Sequence, residues 1–177
     1  MKNEMEKRKR IALVAHDSRK IELKEWVEYN RDILEDCELY ATGTTGNMLQ
    51  ECFISVEPTG EMLPDDDPDL PTEVVNFIYT NVINRLHSGP LGGDQEIGAM
   101  IANGKLDVVI FFCDNLITQG HAQDIQALSR LASLYNVAYA NNRTTADMII
   151  TSPLFKDPEY VRQIPKCIQK YADRFNK

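Results

Sequence analysis

The chain has 177 residues, enough for one domain of ordinary size with a single core. Its apolar and charged fractions, 43% and 26%, are typical of a soluble globular protein. The 19 basic and 27 acidic residues leave a net charge of −8, which argues against a general nucleic-acid binder, because such a protein needs a basic face. The longest apolar run, residues 108–113, is far shorter than the roughly 20 residues of a membrane helix. Residues 1–9 are expected to form a flexible basic tail without a secretory signal.

The acidity is concentrated in one stretch. Residues 57–73 contain seven acidic residues, no basic residue and four of the eight prolines, so the rest of the chain carries a net charge of only −1. We expect this stretch to form an exposed loop that points away from any site for an anionic ligand. The four cysteines are not in CxxC spacing, which argues against a zinc site and favours reduced thiols in a cytoplasmic protein.

Apolar runs and helical patterns alternate along the chain. The runs predict strands that are buried on both faces, at residues 11–15, 38–41, 82–86, 107–113 and 137–140. Helical spacing is found at residues 21–34, 94–103, 125–134, 144–151 and 161–175. The alternation predicts a single three-layer α/β/α domain over residues 10–177, with a parallel sheet of five strands. Residues 57–81 interrupt it, and residues 74–79 fit a short helix or a strand equally well.

Ligands of open α/β sheets bind at the carboxyl ends of the strands, so the residues after each run are the candidates for chemistry. His16 and Lys20 follow the first run and could hold a phosphate, although a plain helix cap by Asp17 or Ser18 is the commoner interpretation of this motif alone. Residues 42–47 (TGTTGN) follow the second run. They lack the lysine of a Walker A loop, and an anion-binding loop and an ordinary turn are equally compatible with them.

The third and fourth runs are followed by carboxylates and a histidine. Residues 88–95 (SGPLGGDQ) surround Asp94 with glycines, which favours close approach of a ligand beyond the helix cap that an aspartate alone would explain. Asp114 ends the fourth run, and His121 and Asp124 follow, where a surface histidine and a helix cap are the simpler alternatives. Together, an anion loop, carboxylates and histidines at one sheet edge suit proton abstraction beside a carbonyl in a small phosphorylated sugar.

Five segments in order resemble the methylglyoxal synthase family closely. They are ALVAHDSRK, LYATGTTGN, SGPLGGDQEIGAMI, LDVVIFF-D and TTADMIITSP, and they span nearly all of residues 10–155 except 53–81. Forty-one residues separate Gly46 from Ser88, more than the family usually has, so residues 57–81 are interpreted as an insertion. The resemblance implies a five-stranded, flavodoxin-like domain that assembles as a homohexamer.

The resemblance also implies residue roles. The aspartate of GGDQ, Asp94, would be the catalytic base, and His121 would be the electrophile and proton shuttle, with Asp114 and Asp124 supporting the catalytic site. Substrate would be bound by His121 and by His16, Lys20, Thr42, Gly43, Thr44, Thr45, Ser88 and Gly89. A charge network between subunits, linked to allosteric regulation by phosphate, would involve Asp17, Arg130 and Arg174.

The activity implied is that of a lyase that converts dihydroxyacetone phosphate to methylglyoxal and inorganic phosphate, in a cytoplasmic bypass of glycolysis. It would use no metal and no organic cofactor, and no nucleic-acid or membrane partner is expected. The alternative is a non-catalytic regulatory module of the same fold that senses a phosphorylated ligand. Such a module needs the phosphate loop but not the base, so the joint presence of Asp94, His16 and His121 favours the enzyme.

Overall fold

Five parallel strands form the central sheet, in the order β5-β2-β1-β6-β7. The computed structural model describes residues 8–62, 73–117 and 120–174. The sheet strands are β1 (Arg10–Ala15), β2 (Glu38–Thr42), β5 (Ile83–Leu86), β6 (Val108–Phe112) and β7 (Ala138–Ala140). All four strand pairs are parallel. Each strand corresponds to one of the five apolar runs, so the predicted sheet is confirmed.

Helices connect the strands and cover both faces of the sheet. They are α1 (Lys20–Tyr29), α2 (Arg31–Leu34), α3 (Gly43–Gln50), α4 (Gly93–Ala102), α5 (Ala122–Leu134), α6 (Arg143–Ile150), α7 (Pro153–Lys156) and α8 (Lys166–Ala172), with short 3₁₀ turns at Asp17–Arg19, Glu51–Phe53 and Gly89–Leu91. Within the described residues, none of them has the length and apolar character needed to cross a bilayer.

Alternate side chains of each buried strand enter two separate cores. On one face, Ile11 and Leu13 of β1 pack with Trp26 of α1 and Leu49 of α3. On the other face, the intervening Ala12 and Val14 pack with residues of α4 and α5. This alternation follows from the two-residue period of a strand, and it confirms the three-layer α/β/α architecture.

The strand order places a crevice above β1 and β6. From β1 the chain moves outward to β2 and β5, and it then crosses to β6 and β7 on the other side. Connections that leave β1 and β6 in opposite directions open a gap at their carboxyl ends, where ligands of doubly wound sheets bind.

The stretch after α3 differs from the prediction of a loop. β3 (Ile54–Met62) and β4 (Glu73–Tyr79) form an antiparallel hairpin, in which Val56 is paired with Phe77. The loop prediction is therefore wrong for residues 57–62, and the ambiguous residues 74–79 are a strand. The hairpin leaves from the amino-terminal edge of the sheet, just before β5. Residues 63–72 of the acidic stretch lie outside the described residues, as does most of the predicted basic tail, so the expected direction of the acidic stretch stays a prediction.

Two helix predictions were too long. The first helical pattern is divided at Asn30 into α1 and α2, and the Asn30 amide donates a hydrogen bond to the Trp26 carbonyl oxygen at 2.9 Å. The predicted helix at residues 161–175 begins only at Lys166. The reason is Pro165, which disfavours a helical conformation in the residue before it and lacks an N–H of its own.

Candidate active site

A cavity of about 280 Å³ lies at the carboxyl ends of β1, β2, β5 and β6. The predicted catalytic and substrate-binding residues that line it are His16, Lys20, Thr42, Gly43, Thr44, Thr45, Ser88, Gly89, Asp94 and His121. Asp114 and Asp124 do not line it. Residues from four separate segments of the chain thus meet in one small space.

One wall of the cavity is suited to an anion. Thr42 precedes α3, and its side chain makes no capping hydrogen bond within the described residues, so the first-turn N–H groups of α3 are free to bind a ligand. Gly43 has φ of +40°, and a Cβ atom there would lie 2.4 Å from Ser88 Oγ. Only glycine therefore allows the two loops to approach this closely.

Lys20 supplies the cation of this wall. Its Nζ donates hydrogen bonds to Thr44 Oγ1 and to Asp17 Oδ1, both at 2.6 Å. The bond from Lys20 holds the pKa of the exposed Asp17 carboxyl below its ordinary value. Two partners on different segments thus hold the ammonium group at the cavity before any ligand binds.

Glycines bring Asp94 into the opposite wall. A Cβ atom at Gly89 would lie 3.1 Å from Asp94 Oδ1, and one at Gly93 would lie 2.1 Å from the His87 carbonyl oxygen. Gly92, with φ of +111°, turns the chain into α4. These contacts explain the glycines around Asp94, because each larger residue would displace the loop or the carboxylate.

The Asp94 carboxylate is buried without hydrogen bonds. Its residue is 3% exposed, and neither oxygen has a hydrogen-bond partner among the described residues. Burial raises the pKa of Asp94, whereas the nearby His121 opposes the rise. A buried carboxylate that accepts no hydrogen bond from the surrounding protein is a stronger base than one on the surface.

His16 is held as a neutral donor. The Asp114 N–H donates a hydrogen bond to His16 Nδ1 at 2.8 Å, so the proton of the neutral ring is on Nε2. His16 Nε2 is buried and has no hydrogen-bond partner within the described part of the chain. Burial is the main cause that lowers the pKa of His16, and the charge of His121 acts in the same direction. The Nε2–H group of His16 is therefore available to a ligand, because no described residue accepts a hydrogen bond from it.

His121 lies between the two groups just described. Its Nε2 is 3.6 Å from Asp94 Oδ2, and its ring centroid is 6.4 Å from that of His16. His121 immediately precedes α5, so its position depends on the start of that helix. A ligand atom in the cavity can therefore approach a carboxylate and two imidazoles together.

The two carboxylates that were expected to support the site, Asp114 and Asp124, contact residues next to the cavity. The Asp114 carboxylate accepts hydrogen bonds from Ser18 Oγ at 2.6 Å and from the Leu116 N–H at 2.9 Å, which hold its pKa below the ordinary value. These bonds fix the backbone that donates to His16. Asp124 lies in the first turn of α5, where its N–H donates to the His121 carbonyl oxygen at 3.0 Å, and its charge helps to raise the pKa of Asp94.

The proposed regulatory residues are not brought together within one chain. Asp17 lines the cavity and is paired with Lys20, whereas Arg130 is exposed on α5 and Arg174 is exposed after α8. The Arg174 guanidinium lies 5.7 Å from the Tyr171 ring centroid. No ion pair joins Arg130 or Arg174 to a carboxylate among residues 8–62, 73–117 and 120–174, so a network between subunits stays a prediction.

Four lining residues were missed by the interpretation of the sequence: Val14, Ala15, Pro90 and Phe111. Phe111 contacts His16 edge to face, with ring centroids 5.1 Å apart. Three of the four are among the last residues of β1 and β6. Candidates were sought only among the residues that follow each apolar run, and these three would have been found if the last residues of each run had been included. Pro90 lies inside the glycine-rich motif that was already selected.

The fold and cavity define an α/β protein with an anion-binding wall and a buried carboxylate that accepts no hydrogen bond from the described residues. A family model described as "MGS-like domain" matches residues 73–141. Methylglyoxal synthase from Leptospira interrogans is 47% identical over 147 residues, which cover 83% of this chain and 82% of that protein. The enzyme from Pseudoalteromonas atlantica is 45% identical over 158 residues, covering 89% and 98%.

A solved structure gives the same assignment. The crystal structure of methylglyoxal synthase from Elizabethkingia anophelis NUHP1 matches with a TM-score of 0.69 and 38% identity, over 91% of this chain and 88% of that one. The chain belongs to the methylglyoxal synthase family. The resemblance seen in the five sequence segments is thus confirmed.

Proposed function

We propose that this protein is a lyase that converts dihydroxyacetone phosphate to methylglyoxal and inorganic phosphate through an enediolate. The observation that carries the proposal is the Asp94 carboxylate, which is buried, accepts no hydrogen bond from any described residue and is located opposite an anion-binding wall. A base of this kind is what abstraction of a proton from carbon needs. The names of the curated relatives support the same catalytic activity.

The substrate phosphate binds at the cationic wall. Lys20 and the N–H groups at the start of α3 bind the dianion, and Ser88 and Gly89 close the other side of it. The three-carbon body then extends toward Asp94 and the histidines, which line the same cavity of about 280 Å³. A small substrate with phosphate at one end and a carbonyl in the middle fits a cavity with an anion-binding wall on one side and Asp94 and the histidines on the other.

Asp94 removes a proton from the hydroxymethyl carbon. Burial, which raises the pKa of Asp94, increases its affinity for that proton. The negative charge that leaves the carbon moves to the carbonyl oxygen, where His121 and the free Nε2–H of His16 are the available donors. His121 also lies close enough to Asp94 to pass on the proton that Asp94 has taken.

Phosphate then leaves by elimination. The hydroxyl on the deprotonated carbon passes its proton to the enediolate oxygen and becomes an aldehyde carbonyl, while the C=C pair shifts to form a new C=C bond to the phosphate-bearing carbon. The bridging C–O bond breaks, its electrons leave with the phosphate held at Lys20, and the phosphate takes up the proton that Asp94 had removed. The resulting enol takes up a proton on its terminal carbon, loses the proton of its hydroxyl group and becomes methylglyoxal. Elimination requires the bridging C–O bond to lie nearly perpendicular to the enediolate plane, whereas an isomerase must hold it in that plane.

The direct test is to incubate the protein with dihydroxyacetone phosphate and to measure methylglyoxal and free phosphate together. We expect the two products in equal amounts. Binding of the substrate without either product would support the regulatory module instead. Glyceraldehyde 3-phosphate without phosphate release would show isomerase activity and would also overturn the proposal.

The assembly and setting are further proposals that follow from family membership. We propose a cytoplasmic homohexamer in a bypass of glycolysis, in which Asp17, Arg130 and Arg174 link the subunits and transmit inhibition by phosphate. Light scattering should then give six times the mass of the 20.1 kDa chain. An Arg130→Gln variant should be inhibited less strongly by phosphate. A monomeric mass would contradict the hexamer, and unchanged inhibition of the variant would contradict the role of Arg130.

A further inference from the structure

A second cavity, of about 330 Å³, lies at the opposite edge of the sheet from the candidate active site. It is bounded by the amino ends of β6 and β7, by α6 and by the segment 152–162. Val137, Ala138, Met148, Ile149 and Phe155 give it largely apolar walls. None of the active-site residues contributes to it.

The Arg162 side chain lies in this cavity, and no described carboxylate forms an ion pair with it. The residue is 6% exposed, and its Nη1 donates to the Leu106 carbonyl oxygen at 2.8 Å. Within the described ranges Arg162 makes no other hydrogen bond and has no carboxylate oxygen within 4.0 Å. A guanidinium has five N–H donors, and those of Arg162 that make no bond to described residues keep some accessible surface although the residue as a whole is 6% exposed.

The nearest carboxylate is already occupied. Asp107 accepts three hydrogen bonds from Arg10, one from its N–H and two from its guanidinium, all at 3.0 Å. Asp107 therefore accepts its hydrogen bonds from Arg10, and its charge reaches Arg162 only through space. Burial lowers the pKa of Arg162, and the attraction of Asp107 opposes this lowering. Leaving a buried charge unpaired costs stability, and a bound anion would recover it.

We propose that this cavity binds a small monocarboxylate with an apolar body, whose carboxylate pairs with Arg162. A single negative charge matches the single charge of the Arg162 guanidinium, and a planar carboxylate suits the two-pronged guanidinium. The apolar walls bind the rest of the molecule. Inorganic phosphate fits poorly, since its second charge would face Asp107 and its oxygens would meet apolar side chains.

Hexanoate is the probe, and hexanamide, which has the same shape without the charge, is its matched control. Titrations of the full chain are followed by NMR of labelled methionine methyl groups, because Met148 lines the cavity. We expect hexanoate to shift the Met148 signal and to bind about tenfold or more tightly than hexanamide. Phosphate at the same concentration should leave that signal unchanged.

Two arginine variants test the assigned partner. Arg162→Gln should weaken hexanoate binding about tenfold or more, whereas Arg143→Gln, at a half-buried position of α6 that does not line the cavity, should change it less than about twofold. If Arg162→Gln does not fold, the comparison of hexanoate with hexanamide in the unaltered chain still decides. The proposal is overturned by equal affinity for the two probes, by shifts that avoid Met148, by equal binding of phosphate, or by no binding up to about 10 mM.

Discussion

The charged groups on the two walls of the active-site cavity differ in their hydrogen bonding. Lys20 donates to Thr44 and Asp17, both at 2.6 Å, before any ligand is present. Asp94, on the facing wall, has no hydrogen bond to any described residue. A group that binds is best held in place by partners, whereas a group that reacts must keep its lone pairs free. The contrast separates a binding wall from a reactive wall, and it predicts different kinetic defects for each.

The largest effect is expected for Asp94→Asn. The amide keeps the size of the side chain but cannot accept the proton, so kcat should fall about 10³-fold while KM changes little. The measurement is release of methylglyoxal at saturating dihydroxyacetone phosphate. Asp32→Asn, the same chemical change at an exposed position of α2, serves as the control. Near-normal turnover of Asp94→Asn would contradict the role of Asp94 as the base, and the wall that contains it could no longer be called reactive.

A smaller loss, about 10²-fold and mainly in kcat, is expected for His121→Gln, because its donor acts where charge develops on the carbonyl oxygen. His87→Gln is the matched control, since the His87 side chain is 71% exposed and is hydrogen-bonded to Glu96. Steady-state kinetics would separate the two parameters. A rise in KM with unchanged kcat would instead place His121 with the binding wall.

Lys20→Gln tests that binding wall. Loss of the ammonium removes one charge-assisted contact to phosphate and leaves Asp17 unpaired nearby, so kcat/KM should fall about 10-fold to 100-fold, mainly through KM. Inorganic phosphate should compete less well by a similar factor. Lys24 lies on the same helix as Lys20, and its only ion pair among the described residues is the exposed 3.2 Å contact with Glu51. Lys24→Gln should therefore have little effect. A fall in kcat alone would contradict the assignment.

The sheet and most of the cavity could be predicted because they depend on local pattern and on topology. The run at residues 11–15 is apolar throughout, which indicates a strand covered on both faces, and parallel strands bring their carboxyl ends to one edge. That rule alone places His16, Thr42 and Asp94 near one another. The β3–β4 hairpin could not be predicted in the same way. Pro58 and the acidic residues favour a loop, and only the pairing of Val56 with Phe77 across the chain shows a strand.

The protonation of the site also depends on contacts distant in sequence. His16 has its proton on Nε2 because the N–H of Asp114, 98 positions away, donates to Nδ1. Sequence motifs indicated both residues but not this bond. Likewise, the glycines near Asp94 suggested close approach of a ligand. The structure shows a second reason for Gly93, because a Cβ atom at this position would collide with the His87 carbonyl oxygen.

The smallest expected effect concerns stability, and it is the sharpest test of the reactive wall. Because the folded-state pKa of Asp94 is raised above its ordinary 3.8, the ionised carboxylate disfavours the folded chain at neutral pH. Asp94→Asn should therefore be more stable than the unaltered chain at pH 7, by about 0.5–2 kcal/mol, although it is inactive.

This gain must depend on pH in a defined direction. It is complete above the raised pKa, shrinks as the pH falls through that value, and disappears below 3.8, where Asp94 is protonated in both the folded and unfolded chains. Urea unfolding of both proteins between pH 4 and pH 8 would measure it, with Asp32→Asn as a flat reference. A destabilised Asp94→Asn at pH 7 would mean that the carboxylate is paired in solution, and the contrast with Lys20 would then no longer explain the chemistry.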